Sequence, residues 1–268
     1  MMDTIGFLGC GNMGGAIARA VCKAVDPKKV YLANRTAAKA QALAKELGCR
    51  TASNAEVAGE CDLIFLAVKP QMMEALLQPL KFTLDERPKR FVLCSMAAGL
   101  SIARIQEMAG EDFPVIRIMP NTPAMIQEGM TAVCANKYVS SEELNWIKKL
   151  LGSCGRVETV KEYMMDAVVS VSGSSPAYVY IMIEAMADAA VMDGMPRAKA
   201  YQFAAQALVG AAKMVLETGK HPAELKDAVC SPAGTTIQAV RVLEEKGLRS
   251  AVIEDVATVR INMLAGIV

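Results

Sequence analysis

The sequence predicts an α/β chain in two parts: a doubly wound, mostly parallel sheet over residues 1–161, then an all-helical region over residues 162–268. Three observations lead there. Short β-rich runs alternate with amphipathic stretches through the first part, which is the pattern of βαβ units. Runs such as LIFLAV and FVLC are apolar throughout instead of alternating, as strands covered on both faces are. Beyond Glu162 the β-branched runs fade and Ala, Met, Leu and charged residues recur at spacings of three and four, the helical period.

In chain order, the expected strands are Thr4–Leu8, Val30–Ala33, Leu63–Val68, Arg90–Ser95, Val115–Met119, Met130–Ala135 and Arg156–Val160. Helical stretches between them are Ala16–Ala24, Ala37–Leu47, Gln71–Leu77 and Glu142–Leu151. In the second part, helices are expected over Ala177–Met192, Arg197–Glu217, Ala223–Val229, Ile237–Glu245 and Ser250–Leu264. Gly194-Met195-Pro196, Gly219-Lys220-His221-Pro222, Ser231-Pro232-Ala233-Gly234 and Gly247 punctuate them. These helices carry small residues and methionine on more than one face, more than five helices bury by themselves. A homo-oligomeric interface is the economical expectation.

Composition narrows the chemistry. The 268 residues are 53% hydrophobic and 21% charged with a net charge of +1, enough apolar content for a real core and too neutral a balance for a nucleic-acid-gripping surface. The single histidine, His221, leaves no site that needs two imidazoles, and it reads as a surface or capping residue. None of the eight cysteines falls in a C-x-x-C pair, so no metal site is expected. With no signal-like N-terminus they read as free thiols of a reducing cytoplasm. The longest uncharged run, Ala167–Ile183, is broken by Pro176 and by Ser170, Ser172, Ser174 and Ser175, so no membrane span is expected.

The strongest local signal is Gly9-Cys10-Gly11-Asn12-Met13-Gly14. A bare G-x-G-x-x-G is weak, but this one directly follows a strand and directly opens a helix. There it supplies a tight turn at Gly9, close backbone approach to a pyrophosphate at Gly11 and close helix–strand packing at Gly14. The first part is therefore a Rossmann-like dinucleotide fold. At the end of the second strand, where an NAD-selective site places a carboxylate, the chain reads Asn34-Arg35-Thr36. A guanidinium and a hydroxyl suit a 2′-phosphate, so NADPH is the expected cofactor, with NADH tolerated.

Further motifs sit on this frame: Ala67-Val68-Lys69-Pro70 after an apolar strand, Met119-Pro120-Asn121-Thr122-Pro123, Ser172-Gly173-Ser174-Ser175-Pro176-Ala177-Tyr178, and Ser231-Pro232-Ala233-Gly234-Thr235-Thr236. In order and spacing, with the glycine fingerprint, they resemble the pyrroline-5-carboxylate reductase family over essentially the whole chain. The resemblance implies reduction of 1-pyrroline-5-carboxylate to L-proline with NADPH or NADH, the last step of proline biosynthesis. It also implies a helical domain that interlocks with a second subunit, as a homodimer that in some members assembles into decamers, with no nucleic-acid or membrane partner.

Carried over by position, Gly9, Gly11, Asn12, Met13, Gly14, Asn34, Arg35, Thr36, Asn54, Ala67, Val68, Lys69 and Pro70 would line the cofactor, with Ala97 and Asn121 near the nicotinamide. The resemblance further implies that Glu162, Asn121, Ser231, Gly234, Thr235 and Thr236 contact the substrate, Thr236 reaching the ring nitrogen and serving as the catalytic residue. A Ser/Gly/Thr turn opening a helix does offer free N–H groups to a carboxylate, though the same turn could be a plain N-cap. An imine that arrives protonated needs little acid–base machinery, which suits a chain with one histidine. Thr236 is then a hydrogen-bonding positioner more than an acid.

Three positions depart from the family's pattern: Ala233 and Ser175 where glycine is usual, and Ala228 where some relatives carry asparagine. A positive φ would strain alanine at position 233, so a negative φ is expected there. Three other readings compete. A β-hydroxyacid dehydrogenase would need a lysine that the stretch Val169–Val191 lacks. A reductase of another cyclic imine and a non-catalytic NADPH-sensing protein remain alternatives.

Overall fold

The computed structural model describes residues 2–110 and 112–264. The chain divides into two compact units, one running to Ser174 and resuming at Val259, the other spanning Ser175–Thr258.

In the first unit, in order, lie β1 (Ile5–Leu8), α1 (Asn12–Ala24), β2 (Val30–Ala33), α2 (Ala37–Leu47), β3 (Arg50–Thr51), α3 (Asn54–Glu60), β4 (Leu63–Leu66), α4 (Met73–Leu77) and α5 (Lys81–Asp85). They are followed by β5 (Val92–Ser95), α6 (Ile102–Ala109), β6 (Val115–Met119), β7 (Gly129–Ala135), α7 (Ser141–Leu151), β8 (Gly155–Thr159) and α8 (Met165–Val168). Among the described residues the strands form one eight-stranded sheet in the order β3-β2-β1-β4-β5-β6-β7-β8. Every pairing is parallel except β6 with β7. Residues 120–128 between those two are shorter than the dozen or so a parallel crossover takes, so β7 turns back antiparallel.

The all-apolar strands are covered on both faces. In β4, Leu63 and Phe65 join one buried cluster with Ile17, Leu32 and Val21, whereas Ile64 and Leu66 join the other with Val57, Met73 and Leu77. Phe7 of β1 stacks on Phe65 across the sheet at 4.6 Å between ring centres. Two changes from the expected elements have simple causes. Helix α1 starts at Asn12, ahead of Ala16, because the glycine-rich turn passes directly into it. Helix α3 follows Ser53, whose hydroxyl accepts from Glu56 N while the Glu56 carboxylate accepts from Ser53 N, a capping box visible in the sequence as S-x-x-E. Strand β3 and helix α6 are likewise elements that periodicity did not mark.

The second unit holds α9 (Ser175–Met192), α10 (Arg197–Thr218), α11 (Pro222–Val229), α12 (Thr235–Glu245) and the start of α13 (Leu248–Leu264). His221 is the N-cap of α11, its Nδ1 accepting from Ala223 N at 3.2 Å. Among the described residues this unit buries only Ala187, Ala200 and Ala204 of its apolar side chains. Tyr180, Ile181, Met192, Phe203, Met214, Leu216 and Ile253 are all exposed, far more apolar surface than a self-contained monomer displays. Among the described residues no helix is long and apolar enough to cross a membrane.

Candidate active site

Parallel strands bring their C-terminal ends to one edge, and the loops leaving them carry most of the residues singled out above. Gly9–Gly14 leaves β1, Asn34–Thr36 leaves β2, Ala67–Pro70 leaves β4, Ala97 lies just past β5, and Asn121 lies just past β6. Asn54, the first residue of α3, lies past β3. The chain order reverses at β1, which has β2 on one side and β4 on the other, and open α/β sheets bind ligands in the crevice at such a switch point.

The glycines at that point have three separate jobs. Gly9 has φ +115°, donates to Ala33 O at 2.8 Å, and would place a Cβ 2.4 Å from Ala67 O. A Cβ on Gly14 would lie 2.4 Å from Gly9 O and 2.8 Å from the Ala67 methyl, which fixes how closely α1 meets the sheet. Gly11 is the N-cap of α1, and a Cβ there would meet nothing within 4 Å. No side chain caps the helix, and its first turn holds no acidic residue. Open space in front of uncapped N–H groups is what a pyrophosphate requires. Asn34 braces the cradle: Oδ1 accepts from Cys10 N at 3.0 Å and Nδ2 donates to Thr36 O at 3.0 Å. Burial pushes the Cys10 thiol up to about 11, with Cys49 adding to the rise, so the loop presents a neutral thiol and not a thiolate that would repel phosphate. Arg35 and Thr36 are exposed at the start of α2, with no carboxylate beside them in sequence. The residues present fit a phosphorylated dinucleotide.

Asn121 and Glu162 are held within the first unit. Asn121 is buried, donates from Nδ2 to Ser172 O at 3.0 Å and accepts from Met130 N at 2.9 Å. Glu162 Oε1 accepts from Ile102 N at 2.6 Å and faces Arg117 Nη1 at 3.5 Å. Arg117 is a residue that the motifs did not single out; its signal was a lone charge in the apolar run Val-Ile-Arg-Ile-Met.

In the second unit, Gly234 N donates to Ser231 O at 3.0 Å, closing a turn with Pro232 and Ala233 at its centre. Ala233 has φ +59°, so the negative φ expected from its side chain does not occur. Proline at the second position excludes a mirror-image turn, and a positive φ at the third makes this type II, which favours glycine. That demand explains the usual glycine, and here alanine meets it under strain. At Gly234 a Cβ would lie 2.4 Å from Ser231 Oγ, so a side chain there would require the serine hydroxyl to swing away. Gly234 is the N-cap of α12 and no side chain caps the helix, so the first amides of that helix have no side-chain acceptor at the cap. Replacing Ala233 with glycine should raise stability by about 1 kcal/mol, the relief of a left-handed alanine less glycine's extra unfolded-state entropy. Urea unfolding measures it, and a less stable variant would mean that Ala233 carries no strain.

A separate cleft of about 560 Å³ opens at the opposite strand ends, among Asp62, Lys89, Arg90, Glu143 and Trp146. Four of its charges are already paired, Lys89 with Asp62 at 2.7 Å and Arg90 with Glu143 at 2.6 Å, and none of the loops leaving β1, β2, β4, β5 and β6 lines it.

Comparison with known proteins agrees with this geometry. Residues 162–261 match the family model for pyrroline-5-carboxylate reductase dimerisation, and residues 4–99 match that for NADP oxidoreductases, coenzyme F420-dependent. The chain is 49% identical to a pyrroline-5-carboxylate reductase of Escherichia coli over 95% of its length and 94% of that protein's. It is 42% identical to one from Corynebacterium melassecola, covering 93% of each. Among solved structures, the pyrroline carboxylate reductase of Plasmodium falciparum with NADP bound superposes with a TM-score of 0.88 at 30% identity, covering 99% of both chains. That of Coxiella burnetii gives 0.90 at 30% identity, covering 99% of this chain and 98% of the other. Glycine cradle, helical region and relatives coincide along the whole chain, which belongs to the pyrroline-5-carboxylate reductase family.

Proposed function

We propose that this protein reduces 1-pyrroline-5-carboxylate to L-proline, the closing step of proline biosynthesis, with NADPH preferred over NADH. The observation that carries the reading is the uncapped glycine cradle at the sheet's switch point beside Asn34-Arg35-Thr36, in a chain of this family. NADPH, when bound, supplies the hydride. Gly9, Gly11, Asn12, Met13 and Gly14 hold its pyrophosphate through backbone N–H groups, and Arg35 and Thr36 take the 2′-phosphate. Asn54, Ala67–Pro70 and Ala97 line the remainder, with Asn121 near the nicotinamide.

Residues 1–161 form the cofactor domain in this reading, and 162–268 the substrate-binding and dimerisation domain. The turn Ser231–Gly234 and the amides of Thr235 and Thr236 receive the substrate carboxylate, Thr236 Oγ1 orients the ring nitrogen, and Glu162 completes the substrate's polar surroundings. Since the ring arrives as an iminium, hydride addition to its C=N carbon consumes the positive charge and leaves the amine of proline. No general acid is needed at that step, and orientation carries the rate. The exposed apolar face of the helical unit is covered by a second copy. The enzyme works in the cytoplasm as a homodimer or a decamer built of such dimers, which light scattering distinguishes, and nucleic acid plays no part.

The test follows NADPH absorbance with 1-pyrroline-5-carboxylate, then with β-hydroxyacids and larger cyclic imines. Oxidation with the first substrate is expected; none, from folded protein that binds NADPH, would sink the reading. Arg35→Ala should raise KM for NADPH by about tenfold or more and leave KM for NADH within about twofold, because only the phosphate loses a charge-assisted bond. Equal changes would remove Arg35 as the phosphate ligand. Thr236→Ala should lower kcat by up to about tenfold, the worth of one hydroxyl hydrogen bond, with cofactor affinity unchanged; a wild-type rate would take Thr236 out of the mechanism.

A further inference from the structure

Arg117 interrupts an otherwise apolar strand, and β6 is an interior one: Arg117 pairs with Ser95 of β5 on one side and Cys134 of β7 on the other. The residue is 6% exposed. A guanidinium does not shed its proton, so at that depth it needs anionic partners. Two carboxylates four residues apart provide them, Glu162 Oε1 at 3.5 Å from Nη1 and Asp166 Oδ1 at 3.6 Å from Nη2. That spacing puts both on one face as the short turn Glu162–Met164 passes into α8. Glu162 also accepts from the first amide of α6, Ile102 N, at 2.6 Å. One carboxylate therefore joins β6, the start of α6 and its own segment.

The same segment is fastened again further on. After α8 the chain makes a π-helical turn, Val169–Gly173. Such turns insert a residue into the helical register and recur at functional sites. Asn121, just past the end of β6, donates to Ser172 O inside that turn at 3.0 Å. The fully buried Ser170 donates back to Asp166 O at 3.1 Å. Residues 162–173 are thus clamped to a single strand exit at two points, Arg117 at one end and Asn121 at the other.

We propose that Arg117 is a positioning residue for the reduction, holding Glu162 and the 162–173 segment in register with Asn121. This rests on the reading above that Glu162 lies beside the substrate and Asn121 near the nicotinamide. The phosphate cradle is braced by Asn34 and by the packing of Gly9 and Gly14 on Ala67, none of which involves Arg117, so its loss acts on turnover and not on cofactor affinity.

The experiment measures kcat and KM with 1-pyrroline-5-carboxylate, NADPH dissociation by its fluorescence, and thermal melting. The proteins are wild type, Arg117→Lys, Arg117→Met, and Arg117→Met combined with Asp166→Asn. In Arg117→Met, kcat is expected to fall by about tenfold or more, as misplacement of reacting groups does. The NADPH dissociation constant stays within about twofold. Arg117→Lys recovers part of the rate, since it restores the charge without the fork that spans two carboxylates. Where Arg117→Met does not fold, the double variant decides, because it removes one stranded carboxylate and keeps Glu162. Folded protein with a low kcat supports the proposal. A wild-type kcat in either methionine variant, or a loss of rate matched by an equal loss of NADPH affinity, overturns it. Turnover by the wild type is a separate reading of the same assay and tests the assigned reaction by itself.

Discussion

Replacing Gly9 with alanine should abolish NADPH binding at millimolar cofactor and destabilise the first unit by about 3 kcal/mol or more. Two penalties act together. At φ +115° an L side chain is strained wherever it points, and the added methyl would lie 2.4 Å from Ala67 O and 2.8 Å from Ala67 C. Those atoms are backbone and cannot swing aside: Ala67 N donates to Leu8 O at 2.9 Å, and Gly9 N donates to Ala33 O at 2.8 Å. Relief must come from opening the sheet where β1 meets β4, and that moves the N-terminus of α1 away from the phosphates. Cofactor titration and urea unfolding test the two parts separately. A variant that binds NADPH within about tenfold of wild type would show that the cradle tolerates a shifted turn.

Asp62→Ala should cost about 3–5 kcal/mol of stability, because it strands a buried guanidinium. Arg87 and Asp62 side chains are 2% and 3% exposed, with Nη2 3.7 Å from Oδ1, and Lys89 Nζ reaches the same oxygen at 2.7 Å. Oδ2 accepts from Asp3 N at 2.7 Å and Thr4 N at 3.1 Å, tying the N-terminal segment to the start of β4. Arg87 Nη1 donates to the carbonyls of Ala58 and Cys61, and its guanidinium lies over the Phe91 ring, contacts that hold it in place when its carboxylate partner is gone.

The effect depends on pH. Burial alone would raise the Asp62 carboxyl, but Lys89 and the two backbone N–H groups outweigh it and hold it below its ordinary value. A carboxyl lowered in the folded state adds stability that is fully present above the unfolded value of about 4 and is lost as pH falls through the folded one. The gap between wild type and Asp62→Ala in urea should be largest near neutrality and shrink in acid. A gap that widens on acidification would reverse the assignment.

How much could be read from residues alone varied with the range of the cause. The phosphate cradle was legible because its demands are local: a turn, a close approach and a helix start within Gly9–Gly14. Helix α3 was missed although its capping box is written in Ser53 and Glu56, because a short helix shows too little periodicity to stand out. Ala233 was misjudged for a different reason. Its side chain argued for a negative φ, but the bond from Gly234 N to Ser231 O closes a type II turn around Pro232, and a turn's geometry overrides one residue's preference when the hydrogen bond and the following helix depend on it.

By itself the sequence determined the two-part organisation and the glycine cradle that opens the first helix, since apolar periodicity and glycine spacing express themselves over a few consecutive residues. Only the tertiary structure decided that Gly9 and Gly14 are held against Ala67, that Arg117 is neutralised by Glu162 and Asp166, and which apolar side chains of the helical unit stay uncovered. Those are contacts, or missing contacts, between residues far apart in the chain. Their energies depend on burial and on distances of a few ångströms, which come into being only when the sheet and helices have packed.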